Sequence, residues 1–139
     1  MIHLSALSNT IRYLDFKALV LINKEVVALT GDRHEYDEED ERRMKSMLRS
    51  VEEADIRGSL ADALVAKAAM LVFKIASGQN FHEGNKRTAL VAGLAFMNMN
   101  GLTLDLEDKD LVSVVDKAGV SSATLKDVEA VVRRLARHV

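Results

Sequence analysis

Apolar residues recur along the chain at helical spacing, in segments that end at glycine or begin after polar runs. The first segment runs from about Leu14 to Thr30, and Gly31 is a typical C-terminal stop. The second follows the acidic run 35–41, and the third covers about 59–77 with two adjacent apolar stripes. We predict three helices, the third largely buried. Their apolar residues are Phe16, Leu19, Val20, Val26 and Val27; Met44, Met47, Leu48 and Val51; and Leu60, Leu64, Ala68, Leu71 and Ile75 beside Ala61, Val65, Ala69, Val72 and Ala76.

The segment from about Asn85 to Asn100 is apolar almost all round, so we expect it to be the centre of the bundle, with the part around Leu90 to Met97 the most buried. The stretch Leu102–Leu106 alternates and predicts a brief extended segment. Two shorter helices follow, and Thr124 is the expected N-cap of the last. The pattern predicts an all-α fold, a compact bundle of about six helices around a central apolar helix, in a single domain over residues 1–139.

Composition and charge limit the cellular locations and the classes of partner that we expect for the protein. The net charge of −2, from 19 basic and 21 acidic residues, gives no general attraction to nucleic acid or to an anionic membrane. The absence of cysteine excludes disulfide and thiol chemistry. No N-terminal signal pattern is visible, and no apolar run reaches the roughly 18 residues of a membrane span. We therefore expect a cytoplasmic protein with neither nucleic acid nor membrane among its partners.

The segment from Gly78 to Thr88 combines a turn, a carboxylate, an amide and two cations directly before the most apolar helix. The first N–H groups of a helix lack intrahelical acceptors, and the helix dipole favours negative charge there. Lys86 and Arg87 add donors suited to phosphate. Glu83 fits beside an anion if Mg²⁺ lies between them, since carboxylate and phosphate oxygens together commonly bind that ion. The alternative is a polar helix start that binds nothing.

Residues 81–90, Phe-His-Glu-Gly-Asn-Lys-Arg-Thr-Ala-Leu, resemble the core motif of the Fic/Doc family. The family pattern is His-x-Phe-x-Asp/Glu-Gly/Ala-Asn-Gly/Lys-Arg. The ending from Lys86 to Leu90 is similar to the Doc (death-on-curing) form, whereas the AMP-transferring Fic form has Gly at the place of Lys86 and a second Arg at the place of Leu90. The resemblance implies the compact helical Fic/Doc fold.

By this resemblance, the protein would transfer a phosphate or AMP from ATP or another nucleotide to a hydroxyl group on a protein. Glu83 would hold Mg²⁺ that bridges the nucleotide phosphates. The Gly84 backbone and the Asn85 side chain would bind phosphate oxygens. Lys86 and Arg87 would neutralise the charge that develops during transfer.

One position departs from the family pattern. The motif phenylalanine is Phe81, which by resemblance is a buried anchor of the nucleotide-binding loop. The family's catalytic histidine lies two residues before that phenylalanine. In this chain the residue at that position is Gln79. Glutamine positions a hydroxyl but does not accept its proton. Three explanations stay open: a degenerate member that binds a nucleotide or partner, a toxin disabled by a His→Gln change, or altered chemistry in which His82 or the substrate serves.

Partners follow from the same resemblance. A protein substrate is implied, a translation factor being one example, and restraint by a separate antitoxin is favoured. The family's inhibitory pattern Ser/Thr-x-x-x-Glu-Gly/Asn has only an incomplete match at Thr103–Glu107, where Asp108 follows. The competing hypothesis is a non-catalytic module that keeps the fold. Two charged segments also keep alternatives: the acidic run 35–41 as a helix start or a contact for a basic target, and the arginines at 133–137 as a solvated helix end or a docking patch.

Overall fold

The computed structural model describes residues 10–78 and 80–139. Six helices lie within them, in the following order: α1 Phe16–Thr30, α2 Glu38–Glu53, α3 Leu60–Ser77, α4 Asn85–Met99, α5 Lys109–Gly119 and α6 Leu125–Leu135. Two short strands, β1 Leu102–Thr103 and β2 Arg137–His138, pair antiparallel, with Leu102 opposite His138. The predicted all-α helical bundle is confirmed. Within the described ranges, no helix is long and apolar enough to span a bilayer.

Local sequence signals set most helix boundaries. Asp15 caps α1, and Gly31 ends it in the left-handed conformation with φ of 76°. The start of α2 is a capping box in which Asp37 and Asp40 bind each other's backbone N–H groups. The acidic run 35–41 is thus largely a helix start, in which carboxylates also favour the positive end of the dipole. Capping boxes likewise begin α3 and α6.

The most buried helix is α3, and the prediction that the segment around Leu90 to Met97 is the most buried is wrong. Helix α3 packs against α2, α4, α5 and α6, and ten of its residues are buried. Helix α4 buries six residues, while Leu90 and Leu94 stay half-buried. An apolar composition allows a helix to be buried, but the extent of its burial depends on how many other helices surround it.

Helices α3 and α4 approach closely, as the small residues of α4 predict. Ala89 and Ala92 are fully buried. At Gly93, a Cβ atom would lie 2.4 Å from Val72 Cγ2 on α3, which is closer than atoms can pack. Gly93 therefore allows α3 and α4, which flank the motif segment, to pack this closely.

The C-terminal segment pairs with the short strand that follows α4. The predicted extended stretch after Gly101 is confirmed for Leu102 and Thr103, and its partner strand contains Arg137 and His138 from the basic C-terminus. Residues 104–108 are not helical, so the incomplete inhibitory match does not lie on a helix. Arg133 and Arg134 pair across to Asp62 and Asp110, which favours a structural role for these arginines.

Candidate functional site

The motif segment forms the turn between α3 and α4. Gly78 ends α3, and its N–H donates to the Lys74 carbonyl at 3.1 Å. Asn80 is buried, and its Nδ2 donates to the carbonyl oxygens of Lys74 and Ile75 at 3.3 and 3.0 Å. These bonds satisfy carbonyls at the end of α3 and fix the direction in which the chain leaves it.

Phe81 is a buried anchor, 4% exposed, as the resemblance implies. Its ring lies 5.8 Å from the ring centroids of both His34 and Tyr36, on the connection between α1 and α2. The Asn85 side chain holds the Phe81 backbone at both polar groups: Oδ1 accepts from the N–H at 3.0 Å, and Nδ2 donates to the carbonyl at 2.8 Å. The Asn85 amide therefore shapes the turn and keeps one N–H for another acceptor.

Gly84 occupies the N-cap of α4 in the left-handed conformation, with φ of 79°. A Cβ atom there would lie 2.8 Å from Val27 Cγ1 on α1. Glycine is thus required because the backbone at this position lies close to the neighbouring helix α1, whether or not a ligand also approaches it. Backbone conformation and packing both select glycine at this position.

The first turn of α4 is open to an anion. Within the described residues, no side chain caps it and it contains no acidic residue. Lys86 and Arg87 are both exposed. Lys86 Nζ lies 3.9 Å from Asp116 Oδ1, a weak exposed pair, and the Lys86 stem lies against Gly119. Arg87 makes no hydrogen bond or ion pair with the described part of the chain, so its guanidinium is free to bind a ligand.

Glu83 is half-buried at the same end of α4. One carboxylate oxygen, Oε2, accepts from the Arg33 N–H at 2.6 Å. No group of three possible metal ligands occurs in residues 10–78 and 80–139. A single carboxylate with a free oxygen suits Mg²⁺ that is bound jointly with substrate phosphates, and does not suit a metal site made by the protein alone.

Residues of the motif turn line two clefts. One, of about 650 Å³, is lined by residues 82–87 together with Thr30, Asp32, Gly119 and Ser121. The other, of about 520 Å³, is lined by Asn80 and Phe81 together with Tyr36, Asp37, Asp40 and Arg43. Gly78, His82 and Asn85 line both. The structure therefore brings the motif residues 83–87 together in the first cleft, with a second cleft adjoining it.

Two histidines approach the turn in different ways. His82 is exposed and lines both clefts. His34 lines neither; its Nδ1 donates to Asn23 Oδ1 at 2.7 Å. Burial, and then the positive charge of Lys24, lower the pKa of His34. His34 is therefore neutral near pH 7 and serves as a hydrogen-bond donor inside the fold. Gln79, which stands at the motif histidine position, lies outside the described residues.

The residue that sequence reasoning missed is Asn23. It is fully buried on α1, and its Nδ2 donates to the Glu83 carbonyl at 2.9 Å and to Thr88 Oγ1 at 3.0 Å. The available signal was its position: four residues after Leu19 and three before Val26, it is a lone polar residue on the inward face. A buried amide at such a position requires internal partners.

Comparison with known proteins agrees with the motif. Residues 13–97, more than half of the chain, match the Fic/DOC family. The chain belongs to this family. Members generally transfer a nucleotide-derived group to proteins, using a nucleotide such as ATP with Mg²⁺, and often pair with antitoxins. A comparison with the curated proteins found no match.

Proposed function

We propose that this protein is a Doc-like toxin domain, a single domain over residues 1–139, that transfers phosphate or AMP from a nucleotide to a protein hydroxyl. Its chemistry is impaired because Gln79 replaces the general base. The observation that carries the proposal is the first turn of α4, which has no side-chain cap within the described residues and lies in a cleft with Glu83, Lys86 and Arg87. Family membership supports the reaction class.

The first turn of α4 would bind the nucleotide phosphates. Backbone N–H groups after Gly84 and the positive end of the helix dipole attract a phosphate oxygen. The second N–H of the Asn85 amide would also donate to a phosphate oxygen. Lys86 and Arg87 would neutralise charge on the transferring group, which is the main contribution that a protein makes to phosphoryl transfer. Phe81 would act indirectly, by anchoring the turn beneath the phosphates.

Glu83 would hold Mg²⁺ through its second carboxylate oxygen, because Oε2 already accepts from the Arg33 N–H. When bound, the ion would neutralise phosphate charge. The Arg33 contact supports this assignment, since it fixes one end of the carboxylate beside the cleft.

The target hydroxyl lacks a proton acceptor at position 79. Losing a general base typically lowers the rate by about 10²–10⁴-fold. Phe81, Glu83, Gly84, Asn85 and the Lys86–Arg87 pair all fit the motif, which favours a disabled toxin over a gradually eroded one. His82 stays an alternative acceptor because it lines both clefts. The biological setting we propose is the cytoplasm, with a protein substrate such as a translation factor and a separate antitoxin.

The second candidate is a non-catalytic module that binds a nucleotide or a protein partner on the Fic fold. Gln79 is the residue that favours it, since the anion site does not depend on a general base. Nucleotide binding with Mg²⁺ is compatible with both candidates, so transfer itself must be measured.

The test is transfer of label from ATP to protein by the Gln79→His form and by the unchanged chain, in a cell lysate. Label on the γ-phosphate detects phosphate transfer, and label on the α-phosphate detects AMP transfer. We expect Gln79→His to raise transfer about 10²-fold or more, the usual contribution of a general base. The gain should disappear in Gln79→His combined with Glu83→Ala. Absence of any gain, with nucleotide shown to bind, would reject the disabled enzyme and favour the binding module.

A further inference from the structure

Asn23 contacts the motif turn on both sides of Gly84. Its Nδ2 donates to the carbonyl of Glu83, immediately before the glycine, and to Thr88 Oγ1, in the first turn of α4. Both N–H groups of one amide are thereby used on a single turn. Because Asn23 and Thr88 are each 0% exposed, water does not compete for these bonds.

The third bond of Asn23 extends the network to the connection between α1 and α2. His34 Nδ1 donates to Asn23 Oδ1 at 2.7 Å. The same connection also binds the motif turn directly: the Arg33 N–H donates to Glu83 Oε2, and the His82 N–H donates to the Glu35 carbonyl at 2.9 Å. Asn23 is the buried centre of this set, and it is fully satisfied.

Burial alone does not account for an asparagine here, because apolar side chains are the usual occupants of a buried helix face. Leu19, Val26 and Val27 on the same face show that α1 otherwise meets the bundle with hydrocarbon. The Asn85 amide closes the turn on Phe81, but no side chain of the described residues caps the start of α4 after the left-handed Gly84. A buried amide supplies directional bonds on both sides of it, and such fully satisfied networks fix one arrangement.

We propose that Asn23 is the positioning residue of the anion site: it holds the turn 83–88 so that the first N–H groups of α4 and the Glu83 carboxylate face one ligand. This inference rests on the proposed function for the ligand, a nucleotide phosphate. Asn23 acts through the turn and does not touch the ligand. Thr88 is its partner in that role, as the acceptor of one of the two bonds.

A second buried polar side chain provides a matched control. Lys67 on α3 is 4% exposed, and its Nζ donates to Tyr13 Oη, the Val51 carbonyl and the Glu52 carbonyl. It therefore has as many hydrogen bonds as Asn23, at the end of α2 and away from both clefts that the motif turn lines. Removing either set destabilises the fold, but only Asn23 should affect the turn.

The experiment measures binding of ATP with Mg²⁺ by titration calorimetry for Asn23→Leu and Lys67→Met. The temperature is kept below that at which either variant begins to unfold. We expect Asn23→Leu to weaken binding at least tenfold and Lys67→Met to change it less than twofold. A smaller pair refines the test. Thr88→Val, which removes the acceptor, should weaken binding severalfold, whereas Thr88→Ser, which keeps it, should recover most of that loss.

Amide hydrogen exchange of the free proteins gives a readout that needs no ligand. Asn23→Leu should speed exchange at residues 83–88 selectively, and Lys67→Met should not. If the unchanged chain binds no nucleotide, the proposed function fails and exchange alone decides the positioning role. Equal affinity in Thr88→Val and the unchanged chain, or unchanged exchange at 83–88 in Asn23→Leu, would overturn the proposal. If Asn23→Leu does not fold, the two Thr88 variants still decide it.

Discussion

Helices α3 and α4 pack side by side, yet they begin in opposite ways. At the start of α3, Ser59 Oγ accepts from the Asp62 N–H at 3.1 Å, and Asp62 Oδ2 accepts from the Ser59 N–H at 3.0 Å. The N-cap of α4 is Gly84, and no side chain of the described residues caps this helix. Its first turn contains the basic residues Lys86 and Arg87. The start of α3 is capped by its own side chains, whereas the first N–H groups of α4 have no side-chain acceptor among the described residues and are open to an anion.

The remaining helices of the described ranges follow α3. Their N-caps are Asp15, Asp37, Asp108 and Thr124, and each accepts a backbone N–H of its helix. A side-chain cap contributes about 0.5–2 kcal/mol to stability. The start of α4 lacks that contribution, so the fold is stabilised at this position by other means: the packing of Gly84 against α1 and the bonds of Asn23.

The largest effect should appear on ligand binding. We expect Lys86→Ala with Arg87→Ala to weaken ATP binding by roughly 1.5–3 kcal/mol for each charged hydrogen bond lost. Titration calorimetry measures it. The control is Lys109→Ala with Lys126→Ala, which removes equal charge from the first turns of α5 and α6. Equal affinity in the two double variants would mean that net charge, and not the start of α4, attracts the nucleotide.

The next effect concerns the glycine that begins α4. Gly84→Ala should lower the free energy of unfolding by roughly 1–2 kcal/mol, because alanine is strained in the left-handed conformation. Contact with Val27 adds about 1–3 kcal/mol of overpacking. Gly31→Ala is the control, since φ there is 76° but a Cβ atom at this position would meet no neighbouring group within 4 Å. Urea unfolding compares the two. A loss at Gly84 no greater than at Gly31 would show that α1 yields easily and does not constrain the turn.

Much of this contrast could be predicted from sequence, because caps and stops depend on neighbouring residues. Gly31 ends α1 and Thr124 caps α6 as predicted, and Ser59 with Asp62 three residues later has the sequence spacing of a capping box. The greater burial of α3 could not be predicted, because several helices surround it and sequence shows no count of neighbours. The hydrogen bonds of Asn23 were equally hidden, since they join positions 60 and 65 residues apart.

The motif itself was visible in sequence, but the division of labour within it was not. The resemblance implies that Asn85 binds phosphate, which stays a prediction; in the structure its amide closes the turn on Phe81. The phosphate contact of the Gly84 backbone likewise stays a prediction, whereas the structure shows that this glycine allows α1 to approach. The observed contacts depend on where the chain folds back, so they are set by tertiary packing. The positions of Lys86 and Arg87 in one exposed helical turn do follow from local sequence.

A smaller effect should follow from removing a cap that the chain supplies. Ser59→Ala should lower the free energy of unfolding by about 1 kcal/mol, because the Ser59 hydroxyl accepts from the Asp62 N–H and donates to Asp62 Oδ2, and both bonds are lost with it. Nucleotide affinity should not change, because Ser59 lies outside both clefts of the motif turn. Urea unfolding and titration calorimetry on the same preparations test both statements. A drop in affinity would indicate that the starts of α3 and α4 are coupled, and would end the contrast between them.

The smallest effect concerns acid. Hydrogen bonds from the backbone and then the hydroxyl of Ser59, followed by Arg133, lower the pKa of Asp62. A carboxylate with a lowered folded pKa stabilises the fold above its unfolded value of about 3.9, and that stabilisation disappears as pH falls through the folded pKa. Asp62→Asn should therefore reduce the loss of stability between about pH 4 and pH 2. Urea midpoints across that range measure it, with Asp55→Asn, at an exposed carboxylate outside any cap, as the control. Equal pH dependence in both variants would mean that the capping carboxylate of α3 contributes no more than an ordinary surface charge.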